Sequence, residues 1–467
     1  MTSSARHAAR PVDHSSLAAR LECDVITAQD PRWDDARTGW ILNADQRPAA
    51  VVPVKGPSDI AAVIRYARTN GFRVAAQGTG HSATTLAPNL EQTILIRTGA
   101  LDRVTVDPVA GTARAEAGAV WSQVSQLAAE HGLAALAGSS PDVGVTGYTL
   151  GGGLSWLGRK YGLATNSVVA AEVVTGDGQV LRIDAEHHPE LFWAIRGGGG
   201  SMAVVTALEF RLYPVAEVYA GTLFWPMERA REVLGAWQAW TQDAPEEVTS
   251  CGRLLSLPPL PVIPEPLRGG NFAVLEFAFL GNSHDGDELI APLRALGPVM
   301  DTVTTIPAAE LAKMHMDPEF PVPAIGDGFQ LREFPPEALD ALLAVAGAGT
   351  DSPLLSVELR HVGGALGRAA RDAGALATMP GAYAGFAVAL TMDRAAEQAA
   401  LTRIRAIQDA VAPWRSELSY PNFAEHPDHP AAFFCAEDEQ RLARAKTRYD
   451  EASTLVSGHP VRTTRTA

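Results

Sequence analysis

The sequence predicts an α+β fold of two domains, and three observations support this prediction. The chain has 467 residues, which exceeds the roughly 250 to 300 residues at which a single hydrophobic core stops growing. Its first half alternates short apolar strands with helices and contains a glycine-rich stretch at residues 138–162. After residue 215 the pattern changes to two rounds of strands and amphipathic helices, which is typical of an antiparallel sheet backed by helices.

The first elements form a strand–helix–strand unit that leads into a loop with a histidine. An apolar strand is predicted at residues 51–54, followed by a helix that Ser58 caps. A second strand, at residues 73–77, runs directly into Gly78-Thr-Gly-His-Ser82. The C-terminal end of a strand is where α/β folds commonly hold ligands. His81 is therefore a candidate binding residue, and the alternative is a solvated loop histidine.

The remaining elements follow from the same periodicities. In the first half, strands are predicted at residues 93–97, 103–107, 112–117, 172–175 and 180–183, and a helix at 120–131. Beyond residue 215, strands are predicted at residues 223–226, 249–257, 272–280, 354–361 and 384–392, and helices at 229–242, 285–296, 337–346 and 395–411. Two proline-rich stretches, at 258–266 and 318–323, are either loops at a substrate entrance or plain surface connections.

The glycine-rich stretch is the feature most suggestive of ligand binding. Eight of its twenty-five residues are glycine, which suits tight turns and the close approach of backbone amides to a ligand. Such a loop favours a phosphate-bearing cofactor, because backbone N–H groups supply fixed partial positive charge. The alternative is a glycine-rich connection without a ligand.

The loop Thr79-Gly-His-Ser82 and the run GVTGYTLGGGLSWLGRKYGL at residues 144–163 together resemble the flavin-binding domain of the vanillyl-alcohol oxidase and para-cresol methylhydroxylase (PCMH) superfamily. More narrowly, they resemble the berberine-bridge-enzyme-like oxidases, to which residues 191–200 and Tyr420-Pro-Asn-Phe423 are also similar. The resemblance implies an FAD-binding domain of the PCMH type, itself of two subdomains, whose first part is residues 20–215. It further implies a substrate domain at residues 216–411 and a return of residues 412–467 to the FAD-binding domain.

The resemblance also implies how FAD is held. His81 matches the family histidine that is bonded through its imidazole to FAD, whereas Ser140 stands where many members have a second, cysteine attachment. One covalent link is therefore implied. The other cofactor-binding residues that it implies are Gly78, Thr79, Gly80, Ser82, Ser140, Gly144, Gly147, Leu150, Gly151, Gly152, Gly153, Val205, Tyr420 and Asn422.

Two segments depart from the family pattern. Ser201-Met-Ala203 replaces the usual Asn-Phe-Gly, so Ala203 is expected to crowd a cofactor lying against the backbone. Glu451-Ala-Ser-Thr-Leu455 replaces Pro-x-Asn-x-Phe, so the last contact with the first domain is expected to be degenerate.

The strand at residues 354–361 carries the candidate catalytic side chains. Alternation places Ser356, Glu358 and Arg360 on one face and Val357, Leu359 and His361 on the other. Glu276 and Arg253 are expected to add charge to the first face. From the residues alone this is either a site or a solvated face with ordinary ion pairs; the resemblance favours a sheet that covers the flavin.

Flavin-dependent oxidation requires a base near the carbon that loses hydride. Many relatives have a tyrosine where this chain has Phe423, so the candidates are Glu358, Tyr420, His315 and His361. Glu358 is preferred, because apolar neighbours are expected to raise its pKa toward neutrality. Arg360 completes the predicted catalytic set of Glu358, Tyr420 and Arg360.

The predicted function is that of an FAD-linked oxidoreductase. The resemblance implies an oxidase that dehydrogenates a small organic substrate, with hydride transfer to flavin N5 and dioxygen as acceptor. A secondary alcohol, an amine or a natural-product intermediate would fit. The alternatives are a dehydrogenase that uses another acceptor, a flavin-binding protein without turnover, and a nucleotide-binding protein without flavin.

Composition narrows the partners and the compartment. A formal net charge of −15 argues against nucleic acid and anionic membrane surfaces as partners. Three widely separated cysteines predict neither a disulfide framework nor a metal site. The N-terminal residues lack the apolar run of a signal peptide, and no stretch is apolar enough to span a membrane. The chain is therefore predicted to be cytoplasmic, with about fifteen leading residues as a loose leader; the oligomeric state stays open.

Overall fold

The computed structural model describes residues 12–426 and 432–463, so most of the predicted leader lies outside the described residues. Among the described residues, no helix has both the length and the apolarity that crossing a membrane requires. The α-helices are His14–Ala18, Trp33–Arg37, Pro57–Asn70, Ala83–Leu86, Trp121–Ala129, Val145–Leu150, Gly158–Tyr161, Pro189–Gly198, Ala230–Thr241, Ser283–Arg294, Pro336–Ala346, Arg394–Ala410 and Ala436–Tyr449.

The first sheet is parallel and has three strands in the spatial order Ala50–Pro53, Thr93–Arg97, Arg73–Gln77. Helix Pro57–Asn70 packs its apolar side on this sheet. Gly56, not Ser58, occupies the N-cap position, so the predicted cap was wrong. Pro57 explains the difference, because its fixed φ suits the first helical position, and the helix starts two residues earlier than predicted.

The second sheet is antiparallel and has five strands in the order Val104–Asp107, Thr112–Glu116, Ala203–Arg211, Val168–Thr175, Val180–Asp184. Helices Trp121–Ala129 and Pro189–Gly198 contribute to the core on this sheet. The glycine-rich stretch follows the first of these helices and precedes the central strand pair. Because the glycine-rich stretch connects elements of this core, it packs against the interior of the molecule.

The third sheet is antiparallel throughout and follows the predicted boundary near residue 215. Its strands, in spatial order, are Met300–Asp301, Glu217–Pro226, Asn271–Phe279, Val248–Ser256, Ser356–His361, Tyr383–Leu390 and Ala324–Leu331, and Thr304–Pro307 also pairs with Glu217–Pro226. Helices Ala230–Thr241, Pro336–Ala346 and Arg394–Ala410 form one hydrophobic core with Leu254, Leu275, Val357 and Leu359 of the sheet. The predicted α+β class, with an antiparallel sheet backed by helices, is confirmed.

Sequence patterns did not predict the strand Ala324–Leu331. Gly326, Asp327 and Gly328 interrupt its apolar run, and glycine and aspartate are depleted in strands. The glycines are required by packing: a Cβ on Gly326 would meet the ring of Phe386, and a Cβ on Gly328 would meet Phe423. Tertiary contacts therefore override the local preference of this segment.

The chain after residue 435 returns to the first two sheets. Lys446 donates to the carbonyl oxygens of Ser201 (2.7 Å) and Leu455 (2.8 Å) and pairs with the buried carboxylate of Asp450. Leu455 in turn forms a parallel bridge with Val74 of the first sheet. The expectation of a degenerate last contact was wrong, because Lys446 and the backbone of residues 454–456 supply it without the family motif.

Replacement of Lys446 by methionine keeps the apolar stem but leaves the Asp450 carboxylate buried without its cation. We expect the free energy of unfolding, measured by urea denaturation, to fall by about 3 to 5 kcal/mol. The control is Glu190→Gln, which removes a half-exposed ion pair with Arg441 and should cost less than about 1 kcal/mol. Equal losses in the two variants would contradict a special role for the buried pair.

Candidate active site

A large cavity of about 1710 Å³ is lined by residues from all three sheets and from the C-terminal segment. Ligand pockets for drug-sized molecules occupy roughly 300 to 1,000 Å³. The cavity is therefore large enough for a cofactor and a substrate together. Its walls are the loop at residues 76–82, the glycine-rich stretch and the face of the third sheet that the helices do not cover.

Most of the predicted cofactor-binding residues line this cavity. They are Gly78, Thr79, Gly80, His81, Ser82, Ser140, Gly144, Gly147, Leu150, Gly151, Val205, Tyr420 and Asn422. Gly152 and Gly153 are not among the lining residues, and their role as cofactor contacts stays a prediction. They have positive φ values of 118° and 81°, and a Cβ on either residue would collide with Tyr420 or Tyr148. The absence of a side chain at these two positions lets the stretch pack against both tyrosines.

Part of the cavity wall is bare backbone. A Cβ placed on Gly147, Gly199 or Gly200 would meet no atom within 4 Å, and all three residues line the cavity. These positions leave room that side chains would fill, which is what a ligand lying flat against the backbone requires. Ala203, predicted to crowd such a ligand, is fully buried at the start of its strand and also borders the cavity.

His81 lies in a defined polar setting. Its ring stacks on Trp40, with 4.2 Å between the ring centroids, and its Nε2 lies 3.4 Å from Oδ1 of Asp142. This Nε2 is buried and makes no hydrogen bond. Asp142 accepts hydrogen bonds from the Trp40 indole and from Oγ of Ser140 (3.0 Å). Although burial raises the pKa of Asp142, its contacts with His81, Trp40 and Ser140 outweigh that effect and lower it.

Tyr420 and Asn422 hold the glycine-rich stretch from the C-terminal side. The phenol oxygen of Tyr420 accepts from the amide of Gly153 at 2.9 Å, and Asn422 donates to the carbonyl of Tyr148 at 2.8 Å and to Tyr420 at 3.2 Å. Burial raises the pKa of Tyr420 above its usual value. A phenol held neutral in this way is a poor base, so the structure favours a positioning role over the predicted catalytic one.

Five ionisable side chains form a buried charge cluster on the cavity-facing side of the third sheet: Arg253, Glu276, His315, Glu358 and Arg360. His315 bridges the two carboxylates, with Nδ1 2.8 Å from Glu276 and Nε2 2.6 Å from Glu358. Arg360 pairs with Glu358 at 2.8 Å, and Arg253 with Glu276 at 3.0 Å. The predicted sharing of one face by Arg253, Glu276, Glu358 and Arg360 is present, since strand register places Arg253 opposite Glu358.

The expected direction of the Glu358 pKa was wrong. Burial alone raises this pKa, but the charges of Arg360 and His315, together with the hydrogen bond from His315, lower it well below its usual value. Glu358 is therefore ionised. Burial and the charge of Arg253 lower the pKa of His315. The carboxylates of Glu276 and Glu358 outweigh both effects and raise this pKa to about 9. It is a cation at neutral pH and cannot accept a proton there.

His361 does not reach the site. It lies on the helix-covered face of the sheet, where it stacks on Tyr383 at 5.7 Å between centroids, and burial lowers its pKa to about 3. The strand alternation had already placed it on this face. No sequence pattern predicts the central position of His315, which follows a short helical segment and approaches the sheet from a loop.

Further carboxyl groups that were not predicted line the cavity, among them Asp317 and Glu425. Asp317 and Glu425 are both half-buried. Burial raises the pKa of Asp317, and burial together with the charges of Asp327 and Asp317 raises that of Glu425 to about 8. Their positions follow from loop geometry that no periodic pattern encodes.

The mouth of the cavity is apolar. Both proline-rich stretches line it, as one of the two sequence interpretations expected. Exposed large hydrophobic side chains gather here: Leu260, Val262, Met316, Phe320 and Met392. Exposed apolar groups concentrated at the rim of a pocket are typical of a ligand-binding surface.

Comparison with known proteins agrees with this geometry. Residues 48–184 match the family model described as an FAD binding domain. The (R)-6-hydroxynicotine oxidase of Paenarthrobacter nicotinovorans is 33% identical over 214 residues, covering 45% of this chain and 46% of that protein. Among solved structures, BBE-like 1 of Physcomitrella patens superposes with a TM-score of 0.84 at 18% identity, covering 96% and 99% of the two chains. The grass pollen allergen Phl p 4, which has glucose dehydrogenase activity, gives 0.82 at 18% identity, covering 97% and 99%.

These findings confirm the resemblance on which the sequence interpretation depended. The chain carries an FAD binding domain and has the fold of the berberine-bridge-enzyme-like proteins of the vanillyl-alcohol oxidase and PCMH superfamily. Its aligned region spans about half the length of the curated relatives that it matches. The bare glycine backbone fits an FAD lying along the glycine-rich wall, and His81 lines the same cavity.

The raised pKa of His315 predicts a pH dependence of stability. Its folded pKa of about 9 lies above the usual histidine value of 6.5, so the stabilisation is complete below pH 6.5 and is lost as pH rises through 9. We expect the His315→Gln variant to be less stable, with a flatter dependence in this window when unfolding is measured by urea at several pH values. The control His187→Gln changes an exposed histidine and should keep the wild-type slope.

Proposed function

We propose that the protein is an FAD-dependent oxidase of small organic molecules. One observation carries the proposal: a buried charge cluster with an ionised carboxylate and a bare glycine backbone line the same cavity. A bound FAD needs a wall of backbone to lie against, and its reaction needs a polar group that accepts the substrate proton. The bare glycine backbone and the charge cluster meet these two needs in one cavity.

The cofactor would be held by the glycine-rich stretch, by the loop at residues 78–82 and by Tyr420 and Asn422. A single covalent bond would join it to His81. Ser140 supports the single bond, since it occupies the position of the second attachment and instead donates to Asp142. When bound, FAD supplies the acceptor for a hydride equivalent from the substrate. The protein residues then have to orient the substrate and accept its proton.

Glu358 is the proposed proton acceptor, for a reason other than the one expected from sequence. It is ionised and borders the cavity, so it can receive a hydrogen bond from a substrate O–H or N–H. As hydride leaves the adjacent carbon, that group becomes part of a protonated carbonyl or imine and turns strongly acidic. A carboxylate of low pKa is then a sufficient acceptor, and Arg360 and His315 hold it in place.

The substrate class that fits is a secondary alcohol, an amine or a natural-product intermediate with an apolar body. The apolar mouth supports an apolar body, and the charge cluster supports a polar reacting group. Hydroxynicotine oxidase, the named relative, is consistent with a small substrate of this kind.

Dioxygen is the proposed electron acceptor. A dehydrogenase with another acceptor is the second candidate, because the fold is shared with a pollen protein that has glucose dehydrogenase activity. Mixing reduced protein with aerated buffer separates the two: fast return of the yellow colour with formation of hydrogen peroxide supports the oxidase, and slow return supports the dehydrogenase.

Acid precipitation tests the covalent attachment. We expect yellow colour to stay with the precipitated wild-type protein and the peptide containing His81 to carry the mass of FAD, because its imidazole is the proposed nucleophile. The His81→Ala variant should release its colour into the supernatant. Release from the wild type would contradict the covalent link, while a colourless native protein would contradict FAD binding as a whole.

Anaerobic bleaching of the flavin by a panel of alcohols and amines tests the chemistry. With any substrate that reduces the wild type, the Glu358→Gln variant should reduce its flavin about 10² to 10⁴ times more slowly, since the proton acceptor is lost. Asp317→Asn and Glu425→Gln are the matched controls and should stay near the wild-type rate. A large loss in either control with a normal Glu358→Gln rate would move the role of base to that carboxyl group.

A further inference from the structure

We propose that Asp142 is a positioning residue that prepares His81 for its bond with FAD. The inference rests on the proposed covalent attachment and goes beyond it, since it names the group that makes the histidine reactive. Neither the glycine motif nor the Thr79-Gly-His-Ser82 loop draws attention to Asp142, and its relation to His81 emerges only from the fold.

The geometry around His81 is built for one imidazole orientation. Trp40 stacks on one side of the ring and also donates its indole N–H to Asp142, so a single residue fixes both partners. Ser140 donates to the other carboxylate oxygen, the one that faces Nε2 of His81 at 3.4 Å. Four side chains, from positions 40, 81, 140 and 142, thus converge at the edge of the cavity.

This arrangement decides which imidazole nitrogen can react. Nε2 is buried, makes no hydrogen bond and lies 3.4 Å from Oδ1 of the Asp142 carboxylate. A carboxylate beside one nitrogen favours the tautomer with the proton on that nitrogen. Nδ1 is then left unprotonated, with its lone pair available to the cofactor. The carboxylate also stabilises the positive charge that the ring acquires when Nδ1 forms a bond.

The chemical balance of the attachment needs an acceptor for two electrons. The bond that forms joins His81 Nδ1 to the 8α carbon of FAD, and that carbon loses one hydrogen as a proton while the imidazole releases its own proton. The two electrons left on the cofactor pass to dioxygen, which leaves with the two protons as hydrogen peroxide. Asp142 assists the loss of the imidazole proton and is not consumed.

The test measures the linked fraction of FAD in folded, FAD-containing protein. Wild type, Asp142→Asn, Asp142→Glu and Trp40→Phe are purified, FAD content is read from the native spectrum, and the linked fraction is followed in time by mass spectrometry of the His81 peptide. We expect Asp142→Asn to bind FAD but to link it on the order of 10² times more slowly. Asp142→Glu should recover part of the rate. Trp40→Phe keeps the stacked ring, loses the N–H to Asp142, and should be intermediate.

A purely structural role for Asp142 gives a different result. FAD content or yield would then fall, but the FAD that remains bound would become linked at the wild-type rate, which overturns the inference. If Asp142→Asn does not fold, the rates of Trp40→Phe and Asp142→Glu decide, and wild-type rates in both overturn it. A wild type without linked FAD refutes the covalent attachment itself, which is a distinct outcome from equal linking in wild type and variants.

Discussion

Mutual neutralisation of buried charges is the interaction on which this site depends. Three cations and two carboxylates occupy one face of the third sheet, and an isolated charge in such surroundings would cost several kcal/mol. The cluster is tolerated because His315 contacts both carboxylates and each arginine has a carboxylate partner. Strand register sets these pairings, and the helices that cover the opposite face hold the register in place. The polarity of the cavity therefore depends on the packing of the third sheet against its helices.

A second constraint is that the cofactor wall must stay free of side chains and still be rigid. Apolar side chains of the glycine-rich stretch, among them Val145, Leu154 and Trp156, are buried in the core, and distant residues add hydrogen bonds to its backbone. Tyr420 and Asn422 form hydrogen bonds with its amide and carbonyl groups. Lys446 connects Ser201, just before the strand Ala203–Arg211, to Leu455. Residues from both ends of the chain therefore shape this wall, and Tyr420 and Asn422 both support it and line the cavity.

Periodicity and local motifs predicted the helices and strands well, but they did not predict which loops come together in the fold. Alternation in the strand at 356–361 correctly separated Glu358 and Arg360 from His361, and glycine content correctly marked the cavity wall. The pKa direction of Glu358 was wrong, because Arg360 and His315 together lower this pKa, and His315 arrives from a loop more than forty residues earlier in the chain. Trp40 and Asp142 were missed for the same reason. The strand at 324–331 was hidden by glycines that only its aromatic neighbours explain.

The division of the site between early and late parts of the chain has a consequence for biosynthesis. His81 and the glycine-rich stretch leave the ribosome long before Tyr420, Asn422 and Lys446, with the whole third sheet translated in between. Domains tend to fold as they emerge, N-terminal part first, so the early half must wait with its cofactor wall unsupported. We therefore expect the proposed FAD to be captured late in maturation, after these C-terminal residues have docked, and the yellow colour of a preparation to follow the fraction of fully folded molecules.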